Sequence, residues 1–483
     1  MSRFVVMLTM LLACVQAMAP VQVLAADLKL ELPKQQWVLQ QADLPLQQRE
    51  GQALPAENEI MQKILPLLNG GKPDQALQQT RMAYGDTLAM LEAGDPDGVV
   101  KDRTVAGGIF APTKANRISA TMLYLIGNAY LGNKNYKAAE TAFNLVLVVM
   151  PDYIRVHESL GILLLVQERY KEAGPHLGKA VQLGLATPNL YGALGYLNQK
   201  LDNPFGAVSA YQNATMLDPG NQQWQLGLLA NLTASRQPAA GLALVEQLLK
   251  TRPDESDLWV YRSELFLQTG NKQQGLDSLE VAIRLGDDSL ANLQVCASLH
   301  MELGSVERAV ALLKSGIDKG LDFVFIDQSL QWLMGHEQWG PMQKLLEDAG
   351  KNRSPLNEVQ QSHLLLHRAR LSVHNNDTAQ AKTLLQQAIT LDPANADALF
   401  TLGKLQHQDK NYAQAELLLQ RASASNGFRE NALLMLAQVA IDQHNYSHAL
   451  QILREIYAGN PARSDLVRNI STLEDMVQLQ GNN

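Results

Sequence analysis

Residues 120–153 read ATMLYLIGNAYLGNKNYKAAETAFNLVLVVMPDY. Apolar residues fall at three- and four-residue steps in two runs, which predicts amphipathic helices over Thr121 to Leu131 and Tyr136 to Val149, joined by a polar Gly-Asn-Lys-Asn turn. One such hairpin cannot bury both of its apolar faces, so it requires neighbours. Small residues mark where the helices cross: Gly127 is expected to admit Ala139, with Tyr130, Tyr136 and Phe143 filling the space around them. Pro151 stops the second helix because it has no backbone N–H to donate.

The order Leu123, Gly127, Tyr130, Ala139, Phe143, Pro151 within a 34-residue period resembles the tetratricopeptide repeat family. The resemblance implies an all-α fold, a right-handed α-solenoid of stacked helical hairpins in which the first helix of each unit lines an inner, concave face. The pattern recurs from Ile154 (Gly161, Ala173, Leu177, Ala180) and Pro188 (Gly195, Ala207, Tyr211, Ala214, Pro219). It is weaker from Gln222 (Gly241, Pro253), Ser256 (Trp259, Phe266, Gly275, Ala282) and Leu290 (Ala297, Gly304, Ala309). Ala381, Ala415 and Ala449 then restore the strict spacing, in units starting at Ser362, Ala396 and Glu430. About ten hairpins and a C-terminal capping helix account for nearly all of the chain after its leader.

Around this array the organisation follows in order. Residues 1–26 read as an export signal, with Arg3, an apolar run from Phe4 to Val15 and a small-residue cleavage region at Val23-Leu24-Ala25-Ala26. Leu11-Leu12-Ala13-Cys14 resembles a lipobox, which offers acylation of Cys14 as the alternative. Residues 27–56 form an extended arm, whose Leu28 to Leu32 alternates like a strand. A divergent unit over 57–91 carries Ile60, Ile64, Leu67 and Leu68 on one stripe, and 92–119 is a loop insertion rich in glycine and proline. Regular units fill 120–323. Residues 324–361 are a degenerate unit and a candidate hinge, with Trp332, Trp339 and Pro341 where small residues are expected. Units resume over 362–463, and 464–483 hold the capping helix and tail.

Composition narrows the function. A formal net charge of -8 supplies no basic surface for phosphates, so nucleic acid is not an expected partner. Only Cys14 and Cys296 are present, and removal of the leader leaves Cys296 without an internal disulfide partner. Phosphate loops, metal-spaced cysteines and nucleophile elbows are missing, and Gly107-Gly108 lacks the Lys and Ser/Thr of a phosphate loop. His363 and His367 stand four apart on a first helix, with His374 and His407 on the same face, but lack the Glu of the zinc-protease pattern. The expectation is a protein that is not an enzyme and needs no cofactor, with a metal-dependent enzyme on the inner face as the alternative of another class.

The resemblance places the partner-binding face on Tyr124, Asn128, Arg155, Glu158, Ile162, Tyr196, Lys200, Glu264, Gln294, Arg370, His374, Phe400, Lys404, Gln438 and Asp442. That lining mixes charges with aromatic anchors, which suits an extended peptide or a helix of another protein. Related modules that grip a carboxylate terminus use a Lys, Asn and Arg cluster. Asn128 fits one position, but Glu158 and Ile162 occupy the places where the cluster would continue, which argues against such a clamp. The functional expectation is a periplasmic scaffold that binds other proteins of the cell envelope. Its alternative is a lipid-anchored form serving an export or assembly machine for polysaccharide, pili or outer-membrane proteins, or a TonB-type system.

Overall fold

A computed structural model describes residues 53–94, 109–110, 118–350 and 355–481. The leader, Cys14, the arm to residue 52 and the middle of the insertion fall outside the described residues, and so do the expectations placed on them. Twenty-three α-helices are described, and the fold is all-α. The only described β-structure is the two-residue ladder of β1 (Ile109–Phe110) and β2 (Ile118–Ser119), paired antiparallel with Ile109 opposite Ser119.

The chain divides into two compact units at Asn271 and Lys272. The first holds α1 (Asn58–Asn69), α2 (Pro73–Ala93), α3 (Ala120–Gly132), α4 (Tyr136–Val149), α5 (Ile154–Val166), α6 (Tyr170–Gln182), α7 (Pro188–Lys200), α8 (Pro204–Leu217), α9 (Gln222–Ala234), α10 (Pro238–Leu249) and α11 (Ser256–Gln268). The second holds α12 (Lys272–Arg284), α13 (Leu290–Glu302), α14 (Val306–Asp318), α15 (Phe323–Gly335), α16 (Trp339–Ala349), α17 (Glu358–His374) and α18 (Thr378–Leu391). It ends with α19 (Ala396–Gln408), α20 (Tyr412–Ser423), α21 (Arg429–Asp442), α22 (Tyr446–Gly459) and α23 (Asp465–Gly481).

One backbone device makes the hairpins. At the end of α3, the Asn135 N–H reaches back to the Tyr130 carbonyl (2.9 Å) and the Lys134 N–H to Leu131 (3.0 Å), which satisfies carbonyls the helix leaves open. This closure forces Lys134 to φ 60°, in the left-handed region. The same position is left-handed at Glu168, Asp202, Arg236, Gly270, Gly304, Asn376, Lys410 and His444. The next residue then starts the following helix: Asn135 accepts from the Ala138 N–H, Asn203 from Gly206, Asp377 from Gln380 and Asn445 from His448.

Packing follows the small residues, with one correction. A Cβ on Gly127 would lie 2.6 Å from the Phe143 ring, so Gly127 makes room for Phe143 rather than for Ala139. Gly195 stands against Tyr211, Gly161 against Leu177 and Gly403 against Leu419 in the same way. Ala139, Ala173, Ala207, Ala309, Ala381, Ala415 and Ala449 are all fully buried. The degenerate stretch still forms the hairpin of α15 and α16, buried through Ile326, Leu330, Leu333, Met342, Leu345 and Leu346. Trp332 and Trp339 fit by stacking on His336 and His374, with ring centroids 3.9 and 4.2 Å apart.

The insertion after α2 is pinned where it returns to the array. The buried Glu57 carboxylate accepts the Leu54 N–H through one oxygen and the Ser119 N–H through the other, both at 2.7 Å. Ser119 in turn caps α3 by accepting from the Met122 N–H.

Candidate functional site

The fifteen residues expected to line the binding face divide into two kinds. Tyr124, Asn128, Glu158 and Ile162 are interior residues, no more than 6% exposed. Their helices explain this: α3 and α5 are apolar on nearly every side, and a helix of that kind is buried all round. Tyr124 packs on Tyr153 and Phe143, and burial drives its hydroxyl far above the usual phenol range. Asn128 donates to the Tyr124 carbonyl and accepts from Ser159 Oγ at 3.1 Å, while Glu158 accepts from Thr187 Oγ1 at 2.8 Å. Burial raises the Glu158 carboxyl, with Thr187 and Arg155 opposing.

The second kind stays partly or fully open to solvent: Arg155, Tyr196, Lys200, Glu264, Gln294, Arg370, His374, Phe400, Lys404, Gln438 and Asp442. Within the first unit, the Lys200 ammonium lies 5.4 Å from the Tyr196 ring centre, and Glu264 on α11 is pushed up to about 7 by burial, opposed by a bond from Gln268. Within the second unit, Lys404 stands 5.8 Å from the Phe400 ring, which also meets Phe428. Arg370 grips both oxygens of Asp397 at 2.5 and 2.6 Å, and His374 stacks on Trp339. Gln438 donates to Asp442, which also bonds His407 Nε2 at 2.6 Å. Asp442 is lowered by His407 first and Gln438 second.

These bonds form a pattern that residue types alone did not disclose. Polar side chains of one first helix repeatedly bond to the next unit's first helix or to its leading edge: Asn128 with Ser159, Glu158 with Thr187 and Gln199 with Asn231, while the Gln268 side chain donates back to the Thr233 carbonyl. Ser362 with Asn395, Arg370 with Asp397, and His407 with Asp442 continue it in the second unit. Much of the polar lining therefore fixes the rotation of each hairpin on the next. The recurring sequence separation, close to one period, is the signal that could have found it.

Two histidine clusters also form. His363 and His367 on α17 converge on Asp327 of α15, with His367 Nε2 at 2.7 Å and His363 Nδ1 at 3.6 Å. Burial pushes Asp327 up, but the two imidazoles outweigh it and hold the carboxyl well below its usual range; Asp327 in turn raises His363. On α5 and α6, His157 Nδ1 meets His176 Nδ1 at 3.0 Å, and both rings are lowered mainly by burial. The deeper cluster joins Glu280, Cys296, His300 and Arg308 on α12, α13 and α14. Arg308 first and His300 after it hold Glu280 down at about 2 against burial, which raises it, whereas burial pushes the Cys296 thiol up to about 12.

Comparison with known proteins agrees with this architecture. Three family models, each described as tetratricopeptide repeat, match residues 120–147, 232–289 and 373–439. A tetratricopeptide repeat-containing protein of Caenorhabditis elegans, trd-1, is 26% identical over 153 residues, which are 31% of this chain and only 20% of that protein. Among solved structures, YrrB, described as a TPR protein with an unusual peptide-binding site, is 20% identical over 36% of this chain and 90% of its own, with a TM-score of 0.35. The Cut9–Hcn1 hetero-tetramer of the APC/C gives 14%, 86%, 89% and 0.32, and pilF of Pseudomonas aeruginosa 15%, 46%, 99% and 0.33. The three matched stretches support the tetratricopeptide repeat family, and the described residues are all-α, built from successive helical hairpins.

Proposed function

We propose that this chain is a non-enzymatic scaffold of the periplasm, which holds proteins of a cell-envelope assembly against the open face of its first helices. The observation that carries the binding reading is the pairing of an aromatic ring with a lysine one turn on, Tyr196 with Lys200 and Phe400 with Lys404. Each pair combines a rigid apolar surface with a mobile charge, a combination suited to anchoring another polypeptide. Because the helices are ordered before a partner arrives, little scaffold entropy is lost on contact. The export reading rests on the leader: Arg3, the apolar run and the small residues before Asp27.

Affinity capture from native envelopes tests the binding role. The Phe400→Ala/Lys404→Ala chain keeps its helical circular dichroism and loses a protein that the unaltered chain retains; equal capture by both chains contradicts the proposal. N-terminal sequencing of the chain isolated from such envelopes starts at Ala26 or Asp27 in a soluble exported protein, and at an acylated Cys14 in a lipid-anchored one.

A further inference from the structure

We propose that Glu280, Cys296 and His300 form a binding site for one zinc-class divalent ion in the seam between α12 and α13. The three side chains come together in the interior: Cys296 is fully buried, and Glu280 and His300 are each 8% exposed. One potential donor atom from each lies within 4.8 Å of the other two. Cys296 and His300 are four apart, which puts them on the same face of α13, and Glu280 reaches them from α12. Thiolate, imidazole and carboxylate together are a donor set suited to zinc and cobalt.

The donor atoms of the three side chains already face one another. The His300 ring is committed on one side only: Nε2 bonds Glu280 Oε1 at 2.7 Å, while Nδ1 is buried with no hydrogen-bond partner. With the proton on Nδ1, Nε2 offers its lone pair on the side of the carboxylate and the thiol, and an ion there takes the place of the Nε2 bond to Glu280. Cys296 Sγ stands 3.9 Å from Glu280 Oε1. Sulfur and oxygen bound to one tetrahedral zinc ion are roughly 3.5 Å apart, given the usual bond lengths. The ion would take the place of the thiol proton between them.

Arg308 completes the arrangement from outside. Its Nε and Nη2 donate to the two oxygens of Glu280 at 2.8 and 2.9 Å and fix the carboxylate plane. Such outer bonds commonly orient metal-binding carboxylates. Binding releases one proton, from the Cys296 thiol, and replaces the S–H bond by a metal–sulfur bond, with no change of oxidation state. The site is independent of the partner-binding reading.

The test uses the full chain produced in zinc-depleted, cobalt-supplemented medium, so that folding takes place with the probe ion present. Purified protein is expected to carry about one cobalt per chain and a thiolate-to-cobalt charge-transfer band, which zinc removes. Cys14→Ser retains the band, Cys296→Ser loses it, and His300→Ala lowers bound cobalt at least ten-fold. A wild-type chain with no thiolate band overturns the proposal, as does a band that survives Cys296→Ser. The wild-type spectrum alone decides the matter should a variant fail to fold.

Discussion

At the scale of single residues, the turn that closes each hairpin is the feature most directly set by backbone sterics. Gly304 sits at φ 86°, and a Cβ there would meet nothing within 4 Å. Gly304→Ala therefore isolates the backbone term, and it is expected to lower stability by about 1 kcal/mol in denaturant titration. The reverse change, Lys410→Gly, relieves a left-handed lysine at φ 64° and is expected to leave stability unchanged or raise it by up to about 1 kcal/mol. Gly195 makes the contrasting case. Its added Cβ would meet the Tyr211 ring at 2.8 Å, and Tyr211 is fully buried, so Gly195→Ala should cost about 1 to 3 kcal/mol through overpacking.

At the scale of elements, the histidine clusters respond to pH with opposite signs. His157 and His176 are lowered below the unfolded value of about 6.5, so the folded pair binds protons less readily than the open chain. Stability of the α5–α6 hairpin is then present above about pH 6.5 and declines as pH falls toward the depressed folded values. His363 is raised by Asp327, so its contribution is complete below about pH 6.5 and disappears as pH rises through the elevated folded value. Hydrogen exchange, corrected for its intrinsic pH dependence, should show protection at 154–182 decreasing from pH 8 to pH 5.5 while protection at 323–374 increases. His176→Gln should flatten the first trend and Asp327→Asn the second; equal trends in both segments would refute this assignment.

The whole molecule shows how far residue patterns reach. Its repeat period was legible because the same packing problem recurs: Gly127 against Phe143 and Gly195 against Tyr211 impose small and large residues at fixed spacing. The closing helix was legible as well, since α23 appears where charged residues flank the last apolar run. The polar bonds between first helices were legible only in part. Helical register placed Asn128 and Glu158 on the first helices, but it could not say that Ser159 and Thr187 of the next unit bond to them. Gly127 was matched to the wrong neighbour because spacing identifies a close crossing without identifying which side chain fills it. The histidine pair on α17 was visible, yet its partner Asp327 lies 40 residues away in a stretch where the repeat pattern fades.

The most direct test of partner binding on the first helices is site-specific photo-crosslinking in cells. A photoreactive residue is placed in turn at 200 and 404 on first helices, and at 216 and 417 on second helices, where Met216 and Leu417 are 70% and 60% exposed. Adducts to another protein from 200 and 404, with none from 216 and 417, are the predicted result. Adducts confined to 216 and 417 would contradict it.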